Sequence, residues 1–327
     1  MTRQAIFNGD PLPWLLEPEN PSVRYLALRD LLGRGEHDPE VQAARAAIME
    51  SDAVRTILAN RHPDGYWVKP GHGYSPKYTG TTWQLLFLAD LGADGADERI
   101  RSSCEYVLAH ARAKSGGLSH NATPSGVIHC LTGNLTHAFL TLGLPAEDER
   151  IQQALDWQAR AILDEEAMYY KSGTTGAGFG CAYNSALPCA WGAVKALKAF
   201  SLLPPEARAP RVVRAIDAGT DFLLSYDLAK ADYPYYERVS SSWFKFAYPL
   251  SYTSDILEAL EVLAHLGKAQ DPRLSNAIEF VLSKQDSKGR WKLERTLNGK
   301  MWIDIERKGQ PSKWATLRAL RVLKAVA

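Results

Sequence analysis

The chain has 327 residues, 46% of them hydrophobic, with 38 basic against 37 acidic side chains and a formal net charge of +1. That balance argues against a nucleic-acid or acidic-polymer partner, and the apolar share is ample for one large core. Four cysteines are too few to staple a secreted fold, the first ten residues carry no apolar signal core, and no apolar run approaches the roughly 20 residues that span a bilayer, so a reducing cytoplasm is the expected setting.

Along the chain, leucine-rich helix ends recur at Leu31-Leu32-Gly33, Leu88-Ala89-Asp90-Leu91-Gly92, Leu140-Thr141-Leu142-Gly143, Phe200-Ser201-Leu202-Leu203-Pro204 and Leu263-Ala264-His265-Leu266-Gly267. Their spacing, roughly 50 to 65 residues, fits two helices plus loops, and the glycine or proline after each run is a helix stop. Beyond four of these stops come new starts at Asp97, Glu147-Asp148, Pro210 and Asp271. Acidic residues there suit the positive end of a helix dipole. The unit is therefore inner helix, short turn, outer helix, long loop.

Inner helices are predicted at about 80–92, 128–143, 187–203, 251–266 and 312–326, apolar on most faces, whereas the outer ones carry charge on one side. No segment resembles a polar terminal cap, which favours closure over an open solenoid. The expectation is all-α, an α/α toroid of about five to six helix pairs, with residues 1–327 as one domain. The long loops, at about 61–79, 112–127, 164–186, 229–250 and 286–311, follow outer helices and gather where inner helices begin.

Cys130, Cys189 and Asp255 fall at nearly the same place in three successive repeats, at the start of inner helices. In a ring they converge on one mouth. Backbone N–H groups at a helix start favour thiolate over thiol, and Cys181, in the loop ahead of Cys189, can fold onto the same point. His129, next to Cys130, serves either as a proton donor or as a plain helix-end residue.

The stretch Phe280-Val281, Gln285, Gly289 and Trp291 resembles the glutamine–tryptophan repeat of squalene and other triterpene cyclases, with a worn copy in Asp64-Gly65-Tyr66-Trp67 where Arg61 replaces the glutamine. Residues 130–134 (Cys-Leu-Thr-Gly-Asn) and 313–320 are similar to motifs of bacterial squalene-cyclase-like proteins. The chain thus resembles a single-barrel member of the terpenoid cyclase and protein prenyltransferase superfamily, which implies an enzyme acting on a hydrophobic, isoprenoid-like substrate in the barrel lumen. The Asp-Xaa-Asp-Asp acid of class II cyclases is absent, as is a second cyclase domain, so squalene cyclisation is not expected.

Cys130, Cys181 and Cys189 with a fourth donor from Asp255, His129, His72 or His120 would meet the demand of tetrahedral zinc, and Zn2+ is the cofactor expected. Relatives in the superfamily bind zinc at the same end, which the resemblance supports for location and not for ligands. The alternatives are inert buried thiols, a non-catalytic binding barrel, and metal-free acid–base catalysis. For the last, Cys181 and Cys189 are similar to the cysteine pair of linalool dehydratase-isomerase. Asp255, His129, Tyr183 and Lys313 are the catalytic candidates; Tyr78, Trp83, Trp191, Trp243, Phe246, Tyr252 and Trp314 are expected to line the lumen with π faces. A glycosidase pair drawn from Glu165, Glu166, Asp232 and Glu237 is a further reading.

Overall fold

A computed structural model describes residues 8–165, 173–235 and 240–326. Glu166, Tyr169, Tyr170, Tyr236, Glu237 and Arg238 lie outside the described residues. The chain is mostly helical; among the described residues the only paired strands are β1 (Trp291–Lys292) and β2 (Pro311–Ser312), two residues each. No described helix is long and apolar enough to cross a membrane.

After the short α1 (Leu12–Leu15), the first inner helix is α2 (Pro21–Leu26), continued as one π-helical turn over Ala27–Leu31. The outer α3 (Pro39–Met49) and α4 (Asp52–Ala59) follow, then α5 (Thr81–Asp90), α6 (Glu98–His110), α7 (His129–Thr141), α8 (Glu149–Leu163), α9 (Ala190–Ser201), α10 (Pro210–Leu224), α11 (Ile256–His265), α12 (Ser275–Ser283) and α13 (Lys313–Val326). Inner helices pack in sequence, α5 on α7, α7 on α9, α9 on α11, α11 on α13, while α13 returns to α2. The N-terminal backbone also meets the last outer turn, where Asn8 N–H donates to Gln285 Oε1 at 2.9 Å. One continuous core of buried residues runs from Leu15 to Leu323.

Aspartates cap the outer helices as their sequence positions imply. Asp97, Asp148 and Asp271 each accept the backbone N–H two residues on and pair with the arginine there. The inner helices start later than their apolar runs suggest. α11 begins at Ile256 and not near 251, because Asp255 caps it by accepting the Glu258 N–H at 2.8 Å.

The repeat is also written in the turns between outer and inner helices. His62 N–H donates to Tyr66 O, Ala113 to Gly117, Gly176 to Gly180 and Asp286 to Arg290, all at 2.8–2.9 Å. The residue two before the close of each turn has positive φ: Gly65 at 100°, Gly116 at 96°, Phe179 at 68° and Gly289 at 75°. The closing residue is Trp67, Leu118, Cys181 and Trp291 in turn. In three copies it is a fully buried wedge whose N–H donates to a threonine of the next inner helix, Thr81, Thr132 or Thr316, at 3.0–3.1 Å. Trp67 and Trp291 further donate their indole N–H to Ile57 O and Val281 O, both at 2.7 Å. The glutamine–tryptophan segment is therefore a built structural motif. In the third copy the wedge is a thiol.

Candidate thiol site

A narrow hairpin presents that thiol. Gly180 pairs with Pro188 in an antiparallel bridge, Cys181 N–H donates to Leu187 O at 3.2 Å, and Cys189 N–H donates to Phe179 O at 2.9 Å. Cys189 is then the N-cap residue of α9, and Cys130 is the second residue of α7. The three cysteines are neighbours: Cys181 and Cys189 interact through their side chains across the hairpin, and Cys130 lies within electrostatic reach of both.

Their environments differ. The Cys189 hydrogen bond, assisted by the backbone at Tyr183 and Asn184, outweighs desolvation and draws the Cys181 thiol down from 9.0 to about 7. Cys189 goes the other way, held as the protonated donor by the Cys181 charge and by burial. Burial pushes Cys130 up to about 12 despite the Lys195 ammonium behind it. One site thus holds a poised thiolate beside a thiol that keeps its proton.

Phe179, the left-handed residue of this hairpin, is buried, and a side chain at φ 68° is strained in a way the glycines of the sister turns are not. Its ring packs at 5.6 Å against His129 and at 5.4 Å against Phe222. His129 is enclosed between Phe179 and Trp157, and burial lowers it to about 4, so it is a neutral imidazole. The Gly176 backbone offsets a small part of that shift, but neither ring nitrogen has a hydrogen bond of full geometry among the described residues. A proton-donor role for His129 at neutral pH therefore does not fit.

Aromatic rings form the wall opposite. The Trp83 ring lies 5.2 Å from both Tyr74 and Tyr78 and 6.3 Å from Tyr252. Tyr74 is in electrostatic reach of Cys130, Tyr183 and Tyr252. Desolvation and the neighbouring Tyr252 side chain push the Tyr78 hydroxyl up to about 12, so it stays a neutral donor. The Lys77 ammonium lies 4.7 Å over the Tyr252 ring, and His120 is 5.8 Å from Tyr74. Tyr183 is 69% exposed. Trp191 is half-buried against the core in the first turn of α9.

Other expected site residues stand elsewhere. Asp255 is fully buried with both oxygens committed, to the N–H groups of Ala247 and Glu258 and to Arg318 at 3.0 and 3.2 Å. It is a cap and counter-ion, not a ligand facing the thiols. Lys313 pairs with Glu17 at 2.8 Å rather than with Asp255. Trp243 donates to Leu228 O at 2.9 Å and Phe246 packs beneath Lys284 at 4.8 Å, so both are wedges toward the outer layer. Trp314 stacks on Tyr248 at 3.9 Å and lines a different cavity. Glu165 is engaged by Arg211 and Arg214, and Asp232 accepts the Asp227 N–H; neither is free to face a partner carboxylate across a lumen.

The donors do not make a zinc site as they stand. Among the described residues no three His, Cys, Asp or Glu side chains are grouped to hold a metal ion. The expectation of Zn2+ at Cys130, Cys181 and Cys189 finds no support in this geometry.

Sequence reasoning missed Phe179 and the buried ion pair of Lys195 with Glu258, at 2.6 Å. The signal for Phe179 was available as the third turn of the series, with an aromatic where the others have glycine. Lys195 interrupts the apolar face Ala193-Val194-Lys195-Ala196-Leu197, a position where no solvent could serve it.

No family model matches this chain, and neither does any curated protein. Among solved structures, the type II terpene cyclase MstE from Scytonema, in complex with its substrate geranylgeranyl dihydroxybenzoate, is similar at 14% identity and a TM-score of 0.32, covering 84% of this chain and 95% of that one. Its apo form gives 14% and 0.31, covering 84% and 96%. Overlaps this slight establish neither a shared fold nor a shared chemistry.

Proposed function

We propose that the chain is a single α/α-toroid domain and a metal-free acid–base enzyme, acting at its thiol end on an apolar, isoprenoid-like substrate. Ring closure is supported by α13 returning to α2, where Lys324 Nζ donates to Asp30 O at 2.8 Å, and by Trp302 donating across to Thr79 O at 3.3 Å. The observation that carries the chemistry is the hairpin that sets Cys181 beside Cys189, with a thiol in the turn position where the sister copies bury a hydrophobic wedge.

The pair supports elimination or double-bond migration. In the dehydration of a tertiary allylic alcohol, Cys189 gives its proton to the departing hydroxyl, which leaves as water, and the Cys181 thiolate takes a proton from the adjacent carbon as the C=C bond forms. The protein ends with Cys181 protonated and Cys189 ionised, and exchange of one proton restores the pair. Rings of Trp83, Tyr74 and Tyr252 would stabilise positive charge developing at carbon.

The test is turnover of ten- and fifteen-carbon isoprenoid alcohols in D2O, followed by gas chromatography and mass spectrometry. Wild type is expected to give dehydrated or isomerised product, carrying deuterium where the double bond moves, and Cys181→Ala to lose at least roughly a hundredfold in rate. Near-stoichiometric zinc by elemental mass spectrometry, lost in Cys130→Ser, Cys181→Ser and Cys189→Ser, would overturn the metal-free assignment.

A further inference from the structure

The inner helices end around a cavity of about 570 Å³ that none of the three cysteines lines and that is unlike the apolar lumen expected. Its wall includes Asp90, His137, Lys198, Glu258, Glu261 and Arg321, with Leu140, Leu144, Leu202 and Val262 toward the rim. The Lys195–Glu258 pair separates it from the thiols: Lys195 is sensed by Cys130 on one side, while Glu258 lines the cavity on the other. Asn134, donating to Ser251 O at 3.1 Å, and the close pass of Gly133 against the Lys195 carbonyl complete the partition.

Most charges here are matched, yet hydrogen-bond donors are left over. The Lys198 ammonium has two ion pairs, at 3.3 Å to Glu258 and 3.6 Å to Asp90, and no hydrogen bond among the described residues. Among the described residues the Tyr248 hydroxyl, in a residue 4% exposed, has no hydrogen-bond partner, and neither does Arg321 Nε. His137 has no hydrogen bond among the described residues. Buried donors without partners are rare in native proteins. Two of them, the Tyr248 hydroxyl and Arg321 Nε, line this one cavity beside the Lys198 ammonium, and they call for a ligand that brings acceptors.

We propose that this cavity is a second binding site, for a small amphipathic carboxylate whose head is held by Lys198, Tyr248 and His137 and whose chain lies on Leu140, Leu144 and Leu202. Desolvating a carboxylate is costly unless donors wait for it, and here they do. Burial, and then the cations Lys198 and Lys195, disfavour a proton on His137, so it meets the head group as a neutral donor. The leucines at the opening give the tail a surface, and the volume suits a small organic ligand.

The test is calorimetric titration of the full-length protein with hexanoate, with hexylammonium as the charge-reversed control. Saturable binding of hexanoate with a Kd below about 1 mM is expected, with hexylammonium silent. Lys198→Met should weaken it at least about tenfold, as should Leu202→Asp, a substitution at a 42% exposed rim residue that does not threaten folding. Cys181→Ser should bind as wild type does, which keeps this site separate from the thiol chemistry. No heat from wild type, equal binding of hexylammonium, unaltered affinity in both variants, or loss of binding in Cys181→Ser would each overturn the proposal.

Discussion

Iodoacetamide added to the native protein at pH 7 is expected to modify Cys181 ahead of every other thiol. At that pH Cys181 is about half thiolate, whereas Cys130, pushed up to about 12, is ionised to roughly one part in 10⁵. The lower basicity of the Cys181 thiolate returns part of this advantage, leaving roughly a 300-fold difference in rate before burial is counted. Cys104, buried on α6 and also pushed to about 12, should stay unmodified. Peptide mapping across pH should place the Cys181 midpoint near 7. In Cys189→Ala, which removes the hydrogen-bond donor, the midpoint should move up by about two pH units toward 9.0. A Cys181 midpoint already near 9 in wild type would show that the pair does not form.

The second large effect is on stability. Asp255→Asn keeps an oxygen to cap α11 but removes the charge that Arg318, 4% exposed, is paired with. Breaking a buried pair from one side leaves an uncompensated charge, and with Glu261 still 2.7 Å from Arg318 a loss of about 3 kcal/mol is expected. Urea denaturation should show a lower midpoint at unchanged slope. The alkylation profile of Cys181 should not change, because Asp255 faces Arg318 and not the thiols. Wild-type stability with altered Cys181 reactivity would return Asp255 to the chemistry.

These outcomes mark how far the sequence could be followed. Cys189 and Asp255 do stand at equivalent helix starts, both as N-caps of helices that begin three to five residues later than their apolar runs suggest, and Cys130 is the second residue of its own helix. Spacing fixes height along the helical array; it does not fix the direction a side chain takes. Asp255 turns to Arg318, one of four cations in α13. The second cavity was hidden for the same reason. Asp90, Lys198, His265 and Arg321 occur in the last turns of inner helices, where charge commonly means contact with water, and only their convergence makes a wall.

The aromatic residues divide along similar lines. Tyr78, Trp83 and Tyr252 cluster with Tyr74, whereas Trp243, Phe246, Trp67 and Trp291 bury their rings as wedges with fixed partners. A tryptophan closing a turn ten residues after the carbonyl it bonds is structural, a rule that could have been read from the Trp67 and Trp291 copies together. The same comparison would have singled out Cys181, the copy without a wedge.

The most direct test of the central claim is protection. With a ten-carbon isoprenoid alcohol at increasing concentration, the rate of Cys181 alkylation at pH 7 should fall at least about fivefold and saturate, as expected when a ligand occupies the space the reagent must enter. An unchanged rate at concentrations where the alcohol demonstrably binds the protein would place the apolar ligand elsewhere and contradict the assignment of the thiol pair as the reactive site.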